Sequence, residues 1–315
     1  MKKIHFIFPL LLLLFSCTKE VTIDIPGYEE QIVIDGRIET GQPPIILISK
    51  SKEVYSSTDL NSFLSGFVSG AVVTISDGTT TIQLDEICSD NLPPGTEALA
   101  AAILGIPVSE LANYNICAYT TLNASFIGTV GKTYQLSVSF DGKTYTASTS
   151  ILTPTPLNNV FWKFDGNSTT HGYSWAELTD PINQKDAYMW EVKRINTDEN
   201  GDFIDQNYTK TYSPVFDDVF FDGLTFEFWY ENPNAYGNAT PESIQGKYAL
   251  NDTVVIKFSK MDAPVFEFFE KKYAQLQTAG NPFATPTNIP TNFTGGALGI
   301  WAGFSPSYDT LICIP

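Results

Sequence analysis

The chain has 315 residues, with 35 Asp and Glu against 18 Lys and Arg and a formal charge of −17. That balance excludes nucleic acid as a partner, because phosphate backbones are bound through Lys and Arg, and it disfavours anionic lipid surfaces. At 43% hydrophobic and 13% aromatic, the chain can bury large cores, and its length predicts two domains.

The first element is a leader. Lys2 and Lys3 precede an apolar run from Ile4 to Phe15, about a dozen residues where a bilayer span needs roughly 20. The run therefore reads as a signal peptide, residues 1–16. It closes on Leu14, Phe15, Ser16 and Cys17, which resembles the bacterial lipobox. The Cys17 thiol is the nucleophile that takes the diacylglycerol, and the small Ser16 before it suits the peptidase. Acyl chains contribute about 0.8 kcal/mol per buried methylene, so several on one residue anchor the mature chain without spanning the membrane. Residues 17–27 then serve as a tether. Lys19 and Glu20, directly after the anchor, resemble the surface-export signal of Bacteroidetes lipoproteins. The expected location is the outer membrane, lipid-anchored and facing the exterior, with the periplasmic face as the alternative.

Residues 28–152 read as a β-sandwich of immunoglobulin-like or transthyretin-like type. Short strand patterns occur at "QIVIDGRI", "PIILISKS" and "AVVTISDG". In "TYQLSVSFDGKTYTAS", Tyr134, Leu136, Val138 and Phe140 alternate with polar residues, and Asp141-Gly142 is a two-residue hairpin turn. One excursion breaks this rhythm between Cys88 and Cys117. Thr96 can cap a short helix that Gly105 ends, and Ser109 can start another. An exported chain meets an oxidising compartment, so a Cys88–Cys117 disulfide is expected at the base of the excursion. With Cys17 acylated, Cys313 is left as a buried free thiol in the terminal strand "DTLICIP". The apolar "ALAAAILGI" offers Leu99, Ile103 and Leu104 either to a partner or as a cover for an open end of the sandwich.

Pro154 and Pro156 in "ILTPTPLN" mark the boundary, and residues 158–315 read as a second β-rich domain. Tyr188, Trp190 and Val192 share one face of a strand, as do Val254, Ile256 and Phe258. The spacing predicts a helix at about 263–279, with Asp262 as cap, Pro264 in the first turn and Gly280 as stop. Phe266, Phe269, Tyr273 and Leu276 would line its stripe. "NTDENGDFID" has Asn196 and Asn207 where a calcium loop wants Asp and Glu, so Asn200-Gly201 reads as a turn. Gly295, Gly296 and Gly299 allow positive φ or close backbone approach. The surrounding segment reads as a loop, either packed under the second sheet through Phe283, Leu298, Ile300 and Trp301, or docking a partner.

The strings "ELTDPINQKDAYMWEVKR", "FDDVFFDGLTFEF" and "NPFATPTNIPTNFTGGALGIWAGF", with "SGAVVTISDG" and "VGKTYQLSVSFDGKTYTAS", resemble the domain-of-unknown-function 4249 family of Bacteroidetes lipoproteins. The likeness covers most of the mature chain. It implies a surface lipoprotein that accompanies a TonB-dependent outer-membrane transporter, with no activity to assign to individual residues. The Cys88–Cys117 excursion departs from the family pattern.

The fold class that emerges is mainly β: two sandwich-like domains, a short helical excursion and one helix near the C-terminus. His171 is the single histidine of the mature chain, set in a polar segment and expected to be a solvated loop residue. No His-based triad or multi-histidine metal site can be built from it. No CxxC, Walker or dinucleotide motif is present, so neither enzyme activity nor a cofactor or metal is expected. Two binding readings remain: an accessory or substrate-capture partner of a TonB-dependent transporter, and a free-standing glycan-binding or adhesion module.

Overall fold

A computed structural model describes residues 29–52, 64–123, 126–166, 168–278, 281, 285 and 287–315, with the Ala102 side chain excepted. Leu14, Ser16, Cys17, Lys19, Glu20, Gly280 and Phe283 lie outside them. No described helix is long and apolar enough to cross a membrane.

The chain is mainly β. Its strands are β1 (Ile32–Glu39), β2 (Ile45–Lys50), β3 (Val72–Ser76), β4 (Thr81–Gln83), β5 (Asp85–Cys88), β6 (Cys117–Thr120), β7 (Thr133–Phe140) and β8 (Lys143–Ser150) in the first half. The second half holds β9 (Asn159–Phe164), β10 (His171–Thr179), β11 (Ala187–Arg194), β12 (Thr209–Asp217), β13 (Thr225–Tyr230), β14 (Tyr248–Ala249), β15 (Thr253–Met261) and β16 (Leu298–Ile312). Among the described residues, the helices α1 (Glu97–Leu104) and α2 (Ala263–Gln277) join these strands together with short 3-10 turns.

Eight strands form one sheet in the order β12-β11-β15-β16-β1-β2-β6-β5. Against one half of it packs the sheet β4-β3-β7-β8, against the other the sheet of β13, β10, β14 and β9. Alternation explains both cores. Ile34, Ile38, Ile46 and Ile48 meet Val73, Ile75, Leu136 and Val138 in the first. Tyr188, Trp190, Val192, Val254, Ile256 and Phe258 meet Trp162, Ala176, Leu178 and Tyr248 in the second. Asp141 and Gly142 take positive φ in the two-residue turn that joins β7 to β8.

The boundary near residue 155 marks a change of core, with Ile151 in the first and Leu157 in the second. The chain then returns. Leu298–Phe304 of β16 pair in parallel with β1, and Ser305–Ile312 pair antiparallel with β15, so one 15-residue strand serves both sandwiches. The expected glycine-rich loop is thus only a turn at Gly295 and Gly296, followed by strand. Trp301 is fully buried in the first core and donates its indole N–H to the Tyr134 carbonyl at 2.9 Å. It packs in the first sandwich, not under the second sheet, and cannot be a partner contact. Gly36 faces it, where a Cβ would lie 2.7 Å from the indole. At Gly299, with φ of 101°, a Cβ would stand 2.0 Å from the Ile34 carbonyl oxygen, so close parallel pairing requires glycine. Ile300 points to the opposite face, toward α2, and Leu298 is part-exposed.

Helix α2 covers that opposite face with Val265, Phe266, Phe268 and Phe269. The Asp262 carboxylate accepts from the Val265 N–H as N-cap, and its other oxygen accepts from the Ser150 N–H at 2.9 Å, which ties the helix to the end of β8. Leu276, expected in the buried stripe, is exposed because the helix overhangs its sheet there. His171 opens β10 as a half-buried strand residue rather than a loop residue, because β14 pairs with it through Ala249.

Candidate binding surfaces

Cys88 and Cys117 are directly paired across β5 and β6 and joined by a disulfide. The excursion they enclose packs Ala101, Ile106, Leu111 and Ile116 with Leu64, from the segment before β3, into a small core. Gly105 ends α1 at φ of 68°, but the Thr96 hydroxyl donates to the Pro93 carbonyl and does not cap the helix. Between α1 and the outer face of β2, β6 and β5 lies an apolar pocket of about 140 Å³, lined among others by Ile45, Ile87, Leu99, Ile103, Leu104 and Leu122. Leu99 is 59% exposed and Leu122 68%. The excursion therefore covers no open end: it stands on the outer face of the sheet and keeps part of its apolar surface in solvent. The structure brings Leu99, Ile103 and Leu104 together, and places Gly295, Gly296 and Gly299 elsewhere, beside β8 and β1.

A second cavity, of about 160 Å³, lies between the sheet and α2, and is polar. Lys257 holds Glu39 at 2.8 Å and Glu191 at 3.4 Å, and Lys210 reaches Glu191 at 2.8 Å. Burial would raise the Glu191 carboxyl, but the charges of Lys210 and Lys257 outweigh it and hold the group below its ordinary value. The same carboxylates outweigh burial at Lys257 and hold its ammonium above its ordinary value.

A third feature sits on the solvent face of β9, β10 and β13. Trp175 is in register with Phe161 on one side and Trp229 on the other. Carboxylate oxygens of Asp180, Asp218 and Asp222 lie within 4.8 Å of one another, a hard-cation type of donor set. In the Asn196 loop, Asp198 instead accepts from the Asn200 and Asp202 backbone N–H groups, and Asp205 pairs with Arg194. Cys313 is a buried free thiol pushed up to about 12 by burial.

Two sandwiches on a shared sheet define a mainly β protein. The family model "Domain of unknown function (DUF4249)" matches residues 18–308, and the chain belongs to that family. Comparison with curated proteins gives no match.

Proposed function

We propose that the mature protein is a lipid-anchored binding protein of the outer membrane, held by Cys17 and facing the cell exterior, that serves a TonB-dependent transporter as accessory or substrate-capture partner. It works by binding and not by catalysis. The observation that supports this reading is the apolar pocket at α1, where Leu99, Ile103 and Leu122 keep a contiguous apolar surface at the edge of an otherwise acidic molecule. A membrane-embedded partner would remove that surface from water.

The test is a pull-down of the native protein from outer membranes in mild detergent, with Cys17→Ala as control and Leu99→Asp as the surface variant. A stoichiometric transporter in the wild-type eluate, depleted by Leu99→Asp, is the expected result. Intact, surface-exposed protein that recovers no transporter would overturn the reading. A second reading, the free-standing glycan-binding or adhesion module, is favoured by the aromatic face of β9, β10 and β13.

A further inference from the structure

In a sheet packed on one side, alternate side chains face water, and here those positions carry large rings. Phe161, Tyr173, Trp175 and Trp229 share the outer face, and Trp229 is 50% exposed. Three other tryptophans, Trp162, Trp190 and Trp301, are buried, so the protein has apolar interior to offer and still leaves Trp229 half in solvent and Trp175 part-buried on the outer face. Phe161 and Trp175 lie 6.3 Å apart between centroids with planes only 16° from parallel, and Trp175 and Trp229 lie 6.5 Å apart at 36°. The rings form a row that crosses three strands, with Trp229 exposed at one end and Phe161 and Trp175 part-buried beneath the Lys163 ammonium. Cross-strand aromatic pairs do stabilise a sheet, by about 0.2–1 kcal/mol each, but that role does not require half of an indole to stay wet.

The polar groups beside the row narrow the ligand. Glu177 and Glu227 stand directly opposite each other, a like-charge pairing that costs stability. Lys163 reaches Glu227 at 3.1 Å while its ammonium lies 3.9 Å from the Trp175 ring centroid. Being exposed, that ion pair is held weakly, so a ligand can move it aside and use both heads as hydrogen-bond partners. A protein interface core is depleted of charge, and this face has charges across its middle ring. Its two carboxylates and the formal charge of −17 repel polyanions. We infer that this face is a platform for a neutral polysaccharide, whose C–H faces stack on Phe161, Trp175 and Trp229 and whose hydroxyls meet Glu177, Glu227 and Lys163. The inference gives a substrate class to the capture reading but rests on a surface separate from the α1 pocket, so each can fail alone.

The test is affinity electrophoresis of the full-length protein in mild detergent, through gels containing neutral α- and β-linked glucans, mannan and xyloglucan, with alginate as the anionic control. At least one neutral polymer should retard the wild type, and alginate should not. Trp175→Ala and Trp229→Ala, made singly, should each weaken that retardation at least tenfold, and Trp229→Phe should restore part of it, with thermal midpoints reported for every variant. Glu177→Gln provides a variant that leaves the ring row intact, and it should weaken binding without lowering the midpoint. No retardation of folded wild type by any neutral polymer overturns the proposal. So does retardation by alginate alone, or retardation that survives loss of either tryptophan in a folded variant.

Discussion

At the scale of single residues, Lys257 sits at the centre of a buried charge cluster. It and Glu191 are 8% and 7% exposed, and each depends on the other for compensation. Because Glu191 is held below its ordinary value, its share of stability is present above about pH 4.5 and is lost as pH falls through the folded value. Lys257, held above its ordinary value, contributes fully below about pH 10.5 and loses its share as pH rises through the folded value. Lys257→Met should therefore cost about 3 kcal/mol at pH 7, since it removes the ammonium that pairs with Glu39 and one of the two that pair with the buried Glu191. The loss should shrink in the acid range as Glu191 protonates. Urea midpoints at pH 7 and pH 4 check this, and a pH-independent loss would show that packing, not charge, holds the site.

At the scale of elements, the excursion has a small core apart from those of the sandwiches and is stapled at its base. The disulfide closes a loop with a sequence separation of 29, which in the chain-entropy account contributes roughly 3 to 4 kcal/mol. Cys88→Ser with Cys117→Ser should lower the denaturation midpoint accordingly. Hydrogen exchange should show the loss first at residues 97–116, while β7 and β8 stay protected. Uniform loss of protection in both regions would mean the staple supports the whole sandwich. Elements whose signals are local were legible in the sequence. Asp141-Gly142 sets its own turn, and Asp262 with Pro264 starts α2, because both depend on neighbours within a few residues. The aromatic platform was not legible, since "VFWKF" and "TFEFWY" carry rings at both parities and alternation alone cannot say which parity is core. Trp301 was hidden for a different reason. Its glycines resembled a loop, and the contact that requires Gly299 is made with Ile34, far away in the chain.

At the scale of the whole molecule, β16 makes the two sandwiches interdependent. The first core lacks Phe293, Ala297 and Trp301 without the C-terminal segment, and β1 lacks a hydrogen-bonding neighbour on that side. Residues 28–157 expressed alone should therefore give no cooperative thermal transition, and the full mature chain should give one transition whose calorimetric and van't Hoff enthalpies agree. A stable, cooperatively folding 28–157 fragment would show that the boundary at the proline pair separates independent units. The proline pair is visible in the sequence, but the return of β16 is not, because pairing between residues 33 and 298 leaves no local trace.

The parallel pairing of β1 with β16 also decides how the protein carries mechanical load. β1 is the first strand of the described residues, and it lies between β2 and β16 inside the shared sheet. Tension on the chain before Ile32, as a captured polymer or a moving partner would exert against a membrane anchor, runs along the strand axis. The ladder bonds from Val33 to Glu39 then resist together in shear instead of parting one at a time from an end. β1 thus acts as a clamp at the point where the chain before Ile32 enters the folded body.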